Sequence, residues 1–523
     1  MTAIQQPSGL YVQFAAALDL RQNARLHALQ RALLADLPQG VNDLCPGYLN
    51  LYVDFDAALI AAGAVRAWVT RHLAALAELP QAQAGCVTEL PVRYDGADLS
   101  EVAARTHLSE AEVVRLHSQD EYQVYAVGFT PGFPFLGEVP AALRLPRRDT
   151  PRPRVPFNAV AIANAQSCVY PLPSPGGWNL LGTLLTTLYD PGREQPFLLA
   201  PGDRVRFVPS DGPTPTLPEI RELWPSAPRD PAFVVEEAGL LDLLLDAGRR
   251  HQAHVGLARS GPLDERSARI ANALVGNPPG TPLLELTLRG PLLTAQRDLV
   301  AAVAGFGMRP EGRPVQQSFV WRRGETLRFI PTSLGARAYL ALAGGLETRP
   351  FLGSSSSDLL GRIGRPLRAG DVLGLAAQAR ALPGFASPPP TLPGQIMLRL
   401  LPGPQASVEA LASLGSAPFR VTGLDRMGLR LTGPPVAGGQ VISEATPAGA
   451  VQVTPAGEPI LLLADRGRLG GYSKPAVLHP LDLPLAAQVR PGQLIRFRPD
   501  LSGTPDEWAQ RWHMQAQASE QLT

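Results

Sequence analysis

Pro201-Gly202-Asp203-Arg204-Val205-Arg206-Phe207 and Pro491-Gly492-Gln493-Leu494-Ile495-Arg496-Phe497 are two versions of one unit, in opposite halves of a 523-residue chain. In each, Pro-Gly and a polar residue make a turn. The alternation after it puts Val205 and Phe207, or Ile495 and Phe497, on one face of a strand and arginines on the other. Gly324-Glu325-Thr326-Leu327-Arg328-Phe329 and Gly370-Asp371-Val372-Leu373 are weaker echoes, and Leu286-Thr287-Leu288-Arg289-Gly290-Pro291 resembles Leu429-Arg430-Leu431-Thr432-Gly433-Pro434. Repeats of this kind predict related β-barrels. Gly 50 and Pro 54 fit many turns between short strands.

Working outward, residues 1–95 read as a small α/β domain. Leu10, Val12 and Phe14 alternate as a strand, Leu26, Leu29, Leu33 and Leu37 recur at helical spacing, and Leu49 to Phe55 alternate again. A second helix carries Val65, Trp68, Val69, Leu73 and Leu76, and Val87 to Tyr94 reads as a third strand, in a β-α-β-α-β order. Residues 96–210 form a barrel domain entered through helices over 98–118, where Ser109 and Glu112 make a capping-box pattern. Residues 211–231, rich in proline, read as a linker. A second proline-rich break, from Pro383 to Gly394, divides the second half into barrels over 232–385 and 386–500. Residues 501–523 carry a last helix, with Thr504 as N-cap, Pro505 at the first helical position, and Trp508 and Trp512 to dock it. The class is therefore mainly β with a small N-terminal α/β unit, one barrel in the first half and two in the second.

A formal charge of +1 creates no global field for nucleic acid or acidic membranes. No apolar run reaches the roughly 18 residues of a transmembrane helix, and the first residues lack a signal-peptide pattern. Cys45, Cys86 and Cys168 have no metal or disulfide spacing and suit a reducing cytoplasm. Lys474 is the only lysine among 47 basic residues, a bias that GC-rich coding explains. No phosphate-loop motif, nucleophile elbow, biotinyl-lysine motif or HExxH is present, and no metal site is expected.

Three segments are distinctive: Gly128-Phe129-Thr130-Pro131-Gly132-Phe133-Pro134-Phe135-Leu136-Gly137, Thr150-Pro151-Arg152-Pro153-Arg154-Val155-Pro156, and Tyr170-Pro171-Leu172-Pro173-Ser174-Pro175-Gly176-Gly177-Trp178-Asn179. With Val41-Asn42-Asp43 and Pro46-Gly47-Tyr48, they make residues 10–210 resemble the B subunit of 5-oxoprolinase, the allophanate hydrolase subunit 1 family. Gly261-Pro262-Leu263-Asp264, Tyr339-Leu340-Ala341-Leu342-Ala343-Gly344-Gly345, Asp425-Arg426-Met427-Gly428-Leu429-Arg430 and Gly470-Gly471-Tyr472-Ser473-Lys474 make residues 232–500 resemble the C subunit of the same enzyme, the allophanate hydrolase subunit 2 family. The chain departs from those patterns at Asn164-Ala165, at Gly353-Ser354-Ser355-Ser356-Ser357 and at Arg468-Leu469.

The resemblance implies cyclophilin-like barrels and a cytoplasmic ATP-dependent cyclic amide hydrolase that opens 5-oxo-L-proline to L-glutamate. It implies ATP with Mg2+ as cofactor, no biotin on this chain, and a separate 5-oxoprolinase A subunit of the lactam-utilisation type as partner. It leaves room for a homo-oligomer. Related barrels form the carboxyltransferase part of urea amidolyase, so a biotin-dependent urea-type carboxyltransferase component is an alternative. A binding protein that inhibits a histidine kinase is another.

Candidate residues are set by the chemistry, each beside a structural alternative. Ser174, Gly176 and Gly177 suit a loop that approaches a ligand closely, or a tight turn capped by Trp178. Arg152 and Arg154 alternate as a clamp for a carboxylate or phosphate, or as solvated surface charges. His117 is a general-base candidate or a satisfied core histidine. Phe129, Phe133 and Trp178 are expected to line a pocket, with Phe135 beside them, or to fill a core. Asp425, Arg426 and Arg430 bind substrate or pair at the surface. Gly470, Gly471 and Tyr472 are candidates to bind substrate or phosphate, and they lead to Lys474, a catalytic candidate as a compact ammonium where every other basic residue is a guanidinium, or else a lysine with no functional role.

Overall fold

The computed structural model describes residues 2–6, 9–76, 87–148, 150, 152–378, 383–388 and 392–500. The helix expected after residue 500, with Trp508 and Trp512, lies outside the described residues.

The N-terminal unit is an antiparallel sheet ordered Thr2–Gln6, Gly9–Gln13, Asn50–Phe55, Val41–Pro46. Helices Leu20–Ala35 and Ala62–Ala75 cover one face. Asp19 caps the first helix by accepting from the N–H groups of Arg21 and Gln22. Period-2 alternation sends Leu10, Val12, Leu51 and Val53 to the helices and Tyr11 and Tyr52 to the opposite face. The expected β-α-β-α-β order is corrected in two ways. Val41–Pro46 is a strand buried on both faces, so it has no alternation to read. Val87–Arg93 leaves the unit for the barrel, because it runs parallel to Arg204–Pro209 with Leu90 and Val92 in the barrel core.

The first barrel closes seven strands in the order Gln166–Tyr170, Pro134–Gly137, Glu121–Val127, Arg204–Pro209, Val87–Arg93, Asn179–Leu184, Ala159–Ala163. Helices Leu99–Thr106 and Glu110–Ser118 pack on it, and the Ser109–Glu112 capping box forms. A second seven-strand ring contains Ile396–Pro402, Leu494–Pro499, Phe419–Leu424, Gly428–Thr432, Pro459–Leu462, Ala450–Val453 and Leu469–Leu478, with Gln440–Ala445 added beside the last. The repeated units occupy matching positions. Each Pro-Gly turn feeds a strand that pairs in parallel with the first strand of its own barrel.

Between them the expected third barrel is not closed. Two five-stranded sheets face each other over a core with Phe233 and Trp321. Consecutive strands Leu292–Ala295 and Leu299–Gly305 go to opposite sheets, as do Thr326–Pro331 and Arg337–Leu342, so ladder bonding stops at those corners. A turn-and-strand repeat is local and does not specify whether sheet edges meet. The proline-rich segment over 211–231 is held against this domain: Leu223 and Trp224 are buried in its core, and the Arg365 guanidinium lies 4.8 Å from the Trp224 ring centre. Among the described residues no helix is long and apolar enough to cross a membrane.

Candidate functional site

Segments from both halves meet at one junction. Gly128 packs so closely on Leu469 that a Cβ there would fall 2.4 Å from Leu469 Cγ. The Gly132 N–H donates to the Val255 carbonyl at 2.9 Å. The second face of the N-terminal sheet closes the junction. The Tyr11 hydroxyl donates to Ala445 O at 2.8 Å, and Asp43 pairs with Arg468 at 3.1 Å while accepting from the Ala253 N–H. Tyr48, Phe133, Phe135, Tyr170, Trp178, Ala445 and Leu469 belong to one continuous apolar cluster.

Lys474 is fully buried here. Its Nζ lies 2.8 Å from Glu444 Oε1, and Glu444 also accepts from Asn50 Nδ2 at 2.9 Å and Gln405 Nε2 at 2.6 Å. Burial pulls the Lys474 pKa down, and Glu444 opposes that shift. Gly470 and Gly471 lie on the same strand, with Tyr472 half-buried beyond them. A Cβ on Gly470 would meet Gln452 Nε2 at 2.4 Å, and one on Gly471 would meet Arg147 Nη1 at 2.5 Å. The Arg147 Cζ is 5.9 Å from the Trp178 ring centre. Its Nε is buried without a hydrogen-bond partner, as are the Tyr48 hydroxyl and Gln452 Nε2. Burial pushes the Cys168 thiol and the Tyr48 and Tyr170 phenols well up, and the nearby Arg147 charge acts against that shift at all three.

The junction thus brings together Gly470, Gly471, Tyr472, Lys474, Phe129, Phe133 and Trp178 from the sequence-predicted set. Phe129 has a positive φ of 65° and meets Phe133 edge-on at 5.4 Å. Ser174 and Gly176 belong to a short ribbon paired with Arg152–Val155. Ser174 is buried with its Oγ unpaired, and the Gly177 carbonyl accepts from the Arg148 N–H. Arg152 is held by Asp98 at 2.5 Å, and Arg154 is exposed.

Two expected roles are corrected by what surrounds the side chains. Arg426 is 4% exposed and neither a surface pair nor open to substrate. It bonds Glu285 at 2.5 Å, Asp465 at 2.7 Å and Gly261 O at 2.6 Å, clamping the middle domain to the second barrel. Its neighbours Asp425 and Arg430 are exposed, and Asp425 caps the turn by accepting from the Met427 and Gly428 N–H groups. His117 sits inside the first barrel, not in the junction. Its ring stacks on Phe207 at 4.5 Å, with Nδ1 2.8 Å from the Tyr94 hydroxyl and Nε2 2.9 Å from Ser167 Oγ. That geometry is the satisfied core histidine.

Burial lowers the His117 pKa to about 3. An unfolded chain takes up the proton near pH 6.5 and the folded one does not, so stability falls as pH drops below 6.5. The expected cost from His117 is about 2 kcal/mol by pH 5. Buried His27, lowered to about 4, adds loss of the same sign. Thermal melts from pH 7.5 to 5 check this: His117→Gln should flatten the profile, and an unchanged slope would refute it.

Sequence reasoning missed Arg147, Asn50, Gln405 and Glu444. They lie in different parts of the chain, and no spacing or motif links them. Asp43 and Tyr48 were visible only as parts of the quoted Val41-Asn42-Asp43 and Pro46-Gly47-Tyr48 segments.

Comparison with known proteins gives a consistent assignment. The model of the carboxyltransferase domain, subdomain C and D, matches residues 4–199, and that of subdomain A and B matches residues 255–499. The 5-oxoprolinase B subunit from Escherichia coli O157:H7 is 54% identical over 124 residues, spanning 23% of this chain and 57% of that protein. The Bacillus subtilis B subunit is 35% identical over 214 residues, 38% of this chain and 89% of that one. The 5-oxoprolinase C subunit from Escherichia coli K12 is 33% identical over 278 residues, 50% and 88% of the respective chains. Urea amidolyase of Lachancea kluyveri is 32% identical over 308 residues, 51% of this chain but 17% of that enzyme. The crystal structure of TTHA0988 superposes with a TM-score of 0.89 at 56% identity, covering 94% of this chain and 99% of that one. The chain belongs to the carboxyltransferase-domain family, with a segment related to the 5-oxoprolinase B subunit followed in one polypeptide by a segment related to the C subunit.

Proposed function

We propose that this chain is the combined B-like and C-like component of an ATP-dependent 5-oxoprolinase. It opens 5-oxo-L-proline to L-glutamate together with a separate A subunit. The observation that carries the reading is the Lys474–Glu444 pair, completed by Asn50 from the first half of the chain, beside the Gly470-Gly471 strand and Arg147. Opening an unactivated cyclic amide requires positioning, water exclusion and stabilisation of charge on the carbonyl oxygen. An aromatic wall with a buried ammonium and a guanidinium that has no carboxylate partner among the described residues supports those tasks.

ATP supplies activation of the amide oxygen when bound, but the residues at this junction do not fit a triphosphate. Arg152, Arg468 and Lys474 already have carboxylate partners, and Arg466 is engaged by the Thr446 and Leu463 carbonyls. We therefore assign the nucleotide to the A subunit, and no step on this chain runs through it.

Mixing the purified chain with the A subunit, ATP and 5-oxo-L-proline should release glutamate and ADP, with neither protein active alone. A folded mixture that gives no turnover would sink the proposal. The match to carboxyltransferase models and the urea amidolyase relative favour a second reading, carboxyl transfer from carboxybiotin to urea. Carboxylated carrier protein plus urea should then be consumed by this chain, and glutamate release should be absent.

A further inference from the structure

We propose that Arg147 seats the carboxylate of an anionic cyclic amide whose flat ring lies along Trp178, with the Tyr48 hydroxyl as a second donor. The inference rests on the enzyme reading above and names its ligand chemistry. Three observations converge on it. Arg147 has no carboxylate partner among the described residues, and its Nε is sealed from solvent without a hydrogen bond, while Arg148 and Arg152 beside it both pair with Asp98. An arginine fork left open in this way suits bidentate capture of a carboxylate. Next, Gly471 keeps the room that the fork occupies: a Cβ there would lie 2.5 Å from Nη1 and 2.6 Å from Nη2. Lastly, the surroundings are aromatic. Tyr48 meets Phe135 edge-on at 5.7 Å, Phe135 lies 6.2 Å from Trp178, and the buried Tyr48 hydroxyl has no partner.

The charge count selects the ligand class. One guanidinium without a carboxylate partner among the described residues balances a monoanion and leaves a phosphate dianion under-neutralised. A neutral urea needs no fork. Aromatic walls favour a flat ring over an extended acid.

The test measures binding of 5-oxo-L-proline and of 2-pyrrolidinone, the same ring without its carboxylate, to the full chain by calorimetry. The carboxylate should tighten binding by about tenfold or more. R147Q should erase that advantage, R147K should restore part of it, and G471A should weaken it without changing the melting temperature, because Arg147 can swing aside. Equal affinity for the two ligands, an unaltered 5-oxo-L-proline affinity in R147Q, displacement by inorganic phosphate, or no binding to the folded chain would each overturn the proposal. The two readings fail separately. A retained carboxylate preference with no glutamate release in the reconstituted mixture removes only the enzyme assignment. Glutamate release by R147Q at unchanged KM removes only the seat.

Discussion

Arg426→Ala is expected to melt about 10 °C below the parent chain, the largest stability loss of any single substitution considered. Arg426 is the shared partner of Glu285 and Asp465, which come from the middle domain and the second barrel. Glu285 is fully buried, so removing the guanidinium leaves carboxylates facing each other without solvent. Breaking a buried pair in this way costs about 3–5 kcal/mol, and for domains of this size each kcal/mol moves the melting temperature by roughly 2–4 °C. Arg337, 3.6 Å from Glu285, offsets only part of the loss. The deficit should shrink as pH falls toward 5, because burial already raises the Asp465 pKa and protonation then removes the repulsion. A thermal melt within about 2 °C of the parent, at pH about 7.5, would contradict the clamp. Specific activity of the surviving folded fraction should stay near that of the parent, since the side chain touches no part of the junction.

Lys474→Ala is expected to lower reconstituted turnover at least about a hundredfold, the size seen when one preorganised charge-stabilising donor is lost. A lysine acting only as a site residue would leave thermal stability unaltered. The ammonium is fully buried and bonded to Glu444, so its loss should also cost about 1–3 kcal/mol. The cost stays below that of Arg426→Ala because Glu444 keeps Asn50 and Gln405 as donors. Lys474→Arg should not rescue turnover. A planar fork does not fit a slot shaped around a compact ammonium, which is a physical reason for one lysine to persist in a chain otherwise served by arginine. Turnover and melting temperature measured on the same preparations separate the roles: lost stability with unaltered specific activity would assign Lys474 to structure alone.

The particular residues show how far the sequence could be read. Val205 and Phe207, and Ile495 and Phe497, announced their strands by alternation, and both pairs lie in barrel cores as that pattern requires. The Ser109–Glu112 cap was legible because its chemistry is confined to one helical turn. Val41–Pro46 was not, because a strand buried on both faces need not alternate, and Asn42 and Asp43 sit side by side in it. The Gly470-Gly471-Tyr472 approach and Lys474 stood out by composition. Arg147, Asn50, Gln405 and Glu444 did not, since each gains meaning only from a neighbour far away in the chain.

The same division separates Arg426 from Lys474. Both are cations beside recognisable segments, and nothing local distinguishes a clamp from a site residue. By itself the amino-acid order determined the β-rich class, the repeated turn-and-strand units, the family and the two parts related to the B and C subunits of 5-oxoprolinase, because these depend on periodicities and motifs within a few residues. Only the tertiary structure decided that the middle domain is two open sheets, that the proline-rich segment is pinned by Trp224, that His117 is sealed in a core, and that Arg147 faces an aromatic wall with its Nε unpaired. Those outcomes depend on which distant side chains desolvate and neutralise one another, a property of packing that no short-range pattern carries.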